Sequence, residues 1–138
     1  MQRWLNIFIL FMLAKGFVYP GVVPLRAACP AHSDTYDSRQ ITVSVTVPDP
    51  AWQIAITDVS IVDHELWVIS TLQRAARLAP QIVTTVTDTV TVMAPAYPIK
   101  HFVLGKTWSW DNDEPYTFLA DRQTIEAQLQ SAKRLLTP

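Results

Sequence analysis

The chain has 138 residues, 11 Lys and Arg against 12 Asp and Glu, and a formal net charge of −1. That length suits one ordinary domain, and the charge balance lacks the basic face that nucleic-acid binding requires. One cysteine and three glycines exclude an internal disulfide framework and leave little for a glycine-rich phosphate cradle.

Residues 1–28 read as an export signal. Arg3 gives a positive start, Trp4 to Ala14 form an apolar run, and Ala27-Ala28 offers a small-residue exit before Cys29-Pro30. Two other readings stay open. Residues 4–25 are long enough for a retained membrane anchor, with Lys15 inside the span. Cys29 suggests a lipoprotein, although Leu25 stands one residue too far from it and Arg26 takes its place. Each reading puts the following domain outside the cytoplasm, periplasmic or secreted. The 11 basic residues less Arg3, Lys15 and Arg26 leave 8 against 12 acidic ones, so the body after Ala28 carries −4.

Residues 29–39 show no apolar period and read as a flexible linker. His32, Asp34 and Asp37 have metal-ligand chemistry, but a mobile segment does not hold ligands in fixed geometry. The expected single domain runs over 40–138.

Period-two patterning begins at Ile41, Val43, Val45 and Val47, which alternate with Thr42, Ser44 and Thr46. Pro48-Asp49-Pro50 stops this strand. Trp52, Ile54 and Ile56 open the next, and the phase slips to Val59 and Ile61, which predicts a β-bulge around Thr57-Asp58. Asp63-His64-Glu65 is a turn. Leu66 to Leu72 is apolar on both faces and so central. Gln73 to Pro80 reads as a loop or one helical turn. A long strand follows, with Ile82, Val86, Val90 and Val92 on one side and Val83 with four threonines on the other; Asp88 in the apolar register predicts a bulge or an edge. Pro95 to Pro98 turns the chain into a fifth strand, Ile99 to Leu104, ended by Gly105.

The C-terminus changes period. Asp121 is a candidate N-cap, and Ile125, Leu129, Ala132 and Leu136 share one helical face. Lys133 and Arg134 would then fall in the last turn. The expected fold is mainly β, an antiparallel sandwich or open barrel of about five strands, with one helix over 121–136.

No nucleophile elbow, phosphate loop, dinucleotide fingerprint or zinc spacing is present, and no cofactor is expected. His64, between Asp63 and Glu65, reads as a polar hairpin tip. His101 shares a face with Ile99 and Val103 and is expected half-buried; as a general base it would imply a hydrolase. Asp111, Asn112, Asp113 and Glu114 have calcium-ligand chemistry without the calcium-loop spacing, so a solvated turn is expected. The densest cluster is Lys106, Trp108 and Trp110, with Trp52 near the Pro48 turn. Exposed, these rings would anchor a macromolecule; buried, they are core.

Strand alternation over residues 40–105, with a Pro/Trp turn at Pro48-Asp49-Pro50-Ala51-Trp52, resembles two groups of small exported β-domains. These are the chagasin-like cysteine-protease inhibitors and the PrcB-type domains of protease complexes. The resemblance implies protease inhibition as an alternative function. The inhibitors' Asn-Pro-Thr-Thr-Gly-Tyr-like loop has no counterpart here, and no functional residue is carried over. The leading expectation is a small exported non-catalytic binding protein that acts on a protein or envelope component, with Lys106, Trp108, Trp110 and Trp52 as its candidate contact residues.

Overall fold

A computed structural model describes residues 34–136. The segment read as an export signal or 4–25 anchor, together with Cys29 and His32, lies outside the described residues. Within them the elements are β1 (Asp37–Val47), β2 (Trp52–Val62), β3 (Glu65–Arg74), β4 (Thr84–Ala94), β5 (Ile99–Leu104), β6 (Thr117–Leu119), α1 (Gln123–Gln130) and β7 (Lys133–Leu136).

Two sheets face each other. β1 and β4 form an antiparallel pair; the other sheet has the order β6-β5-β3-β2-β7. The inward rows Ile41, Val43, Val45 and Val47 of β1 and Val92 and Ala94 of β4 pack on Ile54, Ile56, Val59, Val68 and Leu72 of the larger sheet. The outward rows are hydroxyls. Thr42 bonds Thr89 at 3.0 Å and Ser44 bonds Thr87 at 2.9 Å across the pair. This is the expected mainly-β sandwich with one C-terminal helix. Two of its ladders, β3–β5 and β5–β6, are parallel. The cause is topological: β4 leaves for the small sheet, so β5 returns beside β3 in the same direction.

The bulge falls where the phase slips, between Ile56 and Asp58. It lets β2 serve two cores. Before it, Ile54 and Ile56 point into the sandwich; after it, Val59 stays inside while Val62 turns to the outer face. There Val62, Trp67, Ile69 and Phe102 receive Ile125 and Leu129 of α1. β3 is therefore covered on both sides, as its apolar run predicted.

Two strand boundaries differ from expectation. β1 begins at Asp37 rather than 40, because Asp37, Ser38 and Arg39 find ladder partners in Ala94, Met93 and Val92. Arg39 is tied further by hydrogen bonds to the carbonyls of Pro95 and Tyr97 at 2.8 and 2.9 Å. β4 begins at Thr84, not 82, because its last partner is Val47 and Pro48 ends β1; Ile82 and Val83 are left in the loop. Asp88 pairs with Val43 in unbroken register, so it is an edge position and not a bulge.

The helix is the largest correction. It ends at Gln130, and Lys133–Leu136 is a strand on the edge of β2. Lys133 and Arg134 are therefore strand residues. The edge of β2 beside Val59, Ser60 and Ile61 offers unpaired backbone groups, and a ladder satisfies them where a longer helix would not. The N-cap is Arg122, without a side-chain cap, and not the expected Asp121; the Asp121 carboxylate nevertheless accepts the Gln123 N–H at 2.8 Å. Arg122 reaches from the start of the helix to the buried Asp58 at 2.8 Å and to Glu126 at 3.0 Å.

Leu129 is 1% exposed under the outer face. Leu129→Ala is expected to lower unfolding free energy by about 3 kcal/mol in urea titration; a loss below about 1 kcal/mol would mean that α1 is not docked.

Candidate binding surface

One end of the sandwich gathers the C-terminal ends of β1, β3 and β5 and the N-terminal ends of β2 and β4. Three connections converge there: the turn at residues 48–51, the loop at 75–83 and the long segment at 105–116. Gly105 makes the last one possible. Its φ is +90°, and a Cβ at that position would run into the carbonyl oxygen of Leu72.

The 105–116 segment runs along the open edge of β1. A two-stranded sheet leaves that edge without a ladder, and side chains take its place. The Ser44 N–H donates to the Tyr116 hydroxyl at 3.2 Å and the Thr46 N–H to Glu114 Oε1 at 2.6 Å. The Thr46 carbonyl accepts from Asn112 Nδ2 at 2.9 Å. The run Asp111 to Glu114 is thus not merely a solvated turn. Asn112 and Glu114 are spent on the β1 edge, and among the described residues no cluster of His, Cys, Asp and Glu could hold a metal ion.

Asn112 also accepts from Trp108 Nε1 at 2.9 Å. Trp108 meets Trp52 edge-on, with centroids 5.3 Å apart, and Trp110 lies 5.5 Å beyond it. The three rings form a stack that runs from core to solvent. Trp52 is buried against β1 and β2, Trp108 is half-buried, and Trp110 is 39% exposed. Lys106 Nζ donates to the Trp110 carbonyl at 2.5 Å and lies 4.9 Å from the Phe118 ring centroid. The four candidate contact residues are therefore brought together, but with different roles. Trp52 and Trp108 support, Trp110 faces outward, and the half-buried Lys106 holds the Trp110 carbonyl.

The Pro48 turn offers little surface. Within 48–52 only Pro50 is exposed. Asp49 is buried, accepts the Ala51 N–H at 2.9 Å and pairs with Arg74 at 3.1 Å.

His64 and Asp63 both have positive φ, 63° and 47°, so the expected hairpin tip is a two-residue turn of the left-handed type. It lies at the opposite end, edge-on to Tyr97. His101 is half-buried and stacked on Tyr116 at 4.7 Å, and its Nδ1 has no hydrogen-bond partner among the described residues. Burial lowers its pKa from the usual 6.5. Ser70 is fully buried and its hydroxyl is likewise unpartnered among the described residues, so it is not hydrogen-bonded to His101. The clefts near Asp63 and Gln128 and near Gln53 and Gln73 measure about 100 and 110 Å³, below the ~300 Å³ of a usual small-molecule site.

The residues that sequence reading missed lie in the 75–83 loop. Leu78 is 92% exposed, Val83 64% and Ile82 61%. The available signal was an acid-free run holding Leu78, Ile82 and Val83 around Pro80. Its strand-like alternation placed Ile82 and Val83 in a ladder instead.

No family model, curated protein or solved structure matches the chain.

The stack and the pKa directions give two expectations. Trp108→Ala should cost about 3 kcal/mol of stability, against less than about 1 kcal/mol for Trp110→Ala, by thermal or urea unfolding. His101 is neutral in the fold and readily protonated when unfolded, so stability should fall as pH drops below 6.5. Glu114 adds to the loss at lower pH. Burial would raise its carboxyl, but hydrogen bonds from its own backbone, from Thr46 and from Asn112 outweigh that and hold it below 4.5. In His101→Phe the loss beginning at pH 6.5 should disappear; an unchanged profile would place the histidine in water.

Proposed function

We propose that the protein is a small exported binding module without catalytic chemistry, and that it engages a protein or envelope component through the end of the sandwich that carries Trp110. The supporting observation is the fixed aromatic stack. Trp110 offers its ring to solvent, yet the rings behind it and the Trp108–Asn112–Thr46 chain of hydrogen bonds immobilise its support. An anchor whose base is already ordered loses little conformational entropy on binding. Lys106 and the exposed Asp111 and Asp113 supply a polar rim around it.

Protease inhibition is the second reading. It is favoured by the convergence of the 48–51, 75–83 and 105–116 connections at one end, a shape that fits a cleft. Assays against papain-like, serine and metalloproteases separate the two readings.

Capture from detergent-solubilised envelope and extracellular fractions tests the first. Trp110→Ala should weaken binding of the captured macromolecule by about 2 kcal/mol or more, roughly thirtyfold, with the melting temperature nearly unchanged. Full affinity in that variant would remove Trp110 from the contact surface.

A further inference from the structure

We propose that the 75–83 loop is a lipid-contacting finger that seats the Trp110 end of the sandwich on an anionic phospholipid bilayer. This rests on the binding-module reading and names the partner of that end.

The loop contributes little to the fold. Leu78, Ile82 and Val83 stand in water within six residues, at 92%, 61% and 64% exposure. Its backbone is held by Ala75 N–H to the Ala51 carbonyl at 2.7 Å and Ile82 N–H to the Pro80 carbonyl at 2.8 Å. Three large aliphatic side chains exposed within six residues mark a segment that is covered in use.

Charge selects the cover. Residues 73–83 hold Arg74 and Arg77 and no acidic residue, in a body that is otherwise acidic. Arg74 is matched by Asp49; Arg77 is exposed and has no ion pair among the described residues. Lys106 and Trp110 belong to the same end, joined to the loop's base through the Trp110–Trp108–Trp52 stack and the Trp52–Arg74 strand pair. An aliphatic tip with basic residues and a tryptophan at its border has the composition of a membrane-interface element. Asp111, Asp113 and Asp121, which follows the C-terminal end of β6, are exposed acids of this end, and they oppose an anionic surface.

The loop's shape favours lipid over protein. A protein interface needs a complementary, ordered surface. A loop with few internal bonds and its aliphatics spread along it meets that need poorly, whereas an acyl region accepts any apolar shape. The chain also enters the sandwich at Asp37, which pairs with Ala94 at the opposite end. A label on the loop therefore reports on one end of the sandwich and a label near Ala94 on the other.

The full-length chain with Cys29→Ser provides the test. An environment-sensitive fluorophore is attached at Leu78→Cys, or at Met93→Cys on the far end as control. Probes are phosphatidylcholine vesicles with and without phosphatidylglycerol. With phosphatidylglycerol, the label at 78 should shift to the blue and be quenched by nitroxide-labelled lipid, while the label at 93 stays in water. By vesicle sedimentation of unlabelled chains, Arg77→Gln should lower partitioning about fivefold, the equivalent of ~1 kcal/mol per basic residue. Leu78→Ser/Ile82→Ser should lower it about tenfold or more, with an unchanged circular dichroism spectrum. Asp111→Asn/Asp113→Asn should raise it. The proposal is overturned if the label at 78 remains in water, if the label at 93 is quenched instead, or if vesicles of phosphatidylcholine alone bind as well. Since capture of a macromolecule by Trp110 is read without vesicles, failure here leaves that reading to its own test.

Discussion

The structure depends on how two open sheet edges are satisfied. β1 and β4 pair only with each other, and an isolated two-stranded ribbon is marginal in water. Its apolar face is covered by the larger sheet, but apolar contact does nothing for unpaired backbone groups at an edge. Polar side chains do that work, accepting from the N–H groups and donating to a carbonyl. Glu114, Tyr116 and Asn112 serve the edge of β1 at Ser44 and Thr46. Asp88 reaches from β4 to the Ile56 N–H of β2 at 2.8 Å, just before the bulge. Side-chain bonds thus link strands that no ladder joins, and the sandwich stays an open one.

The same arrangement places the candidate surface. The 105–116 segment is drawn along β1 by Asn112 and Glu114, and this brings Trp108 over Trp52. Trp110 is exposed as a consequence: with Trp52 already edge-on to Trp108, the third ring has only the solvent side of the stack left. The surface is built by the bonds that complete the sheet, so its rigidity follows from the fold and not from a separate device.

Two buried carboxylates tie neighbouring segments to β2 and its entry turn. Asp49 fixes the Pro48 turn against Arg74, and Asp58 takes Ser60 at 2.8 Å and Arg122 at 2.8 Å. Each aspartate is buried while its arginine remains partly exposed, at 40% and 36% for the side chains. Partial exposure keeps part of the desolvation penalty off the cation, and the aspartate gains further hydrogen bonds from Ala51 or Ser60. Such pairs decide position more than stability. Asp58 in particular draws the start of α1 to the edge of β2, where β7 then completes the ladder.

Sequence by itself determined the layers. Alternation with period two in 41–47, the slip at Thr57-Asp58, the doubly apolar run 66–72 and the helical face at Ile125 and Leu129 each reflect burial within one element, and burial is written locally. The stop at Pro48 is equally local, since proline lacks a donor; glycine marks the end of β5 in the sequence, but the close approach to the Leu72 carbonyl that requires it is tertiary. Tertiary structure decided the rest. Lys133–Leu136 continues a helical pattern and becomes a strand because β2 presents an edge to it. Asn112 and Glu114 look like a solvated turn and become edge ligands of β1. Ile82 and Val83 alternate like strand residues and stand in solvent because β1 has already ended. Of the rings in the candidate surface, only the order of the stack separates support from contact. In each case the deciding partner is far away in the chain, and a backbone group's need for a hydrogen bond leaves no mark on the residue that will meet it.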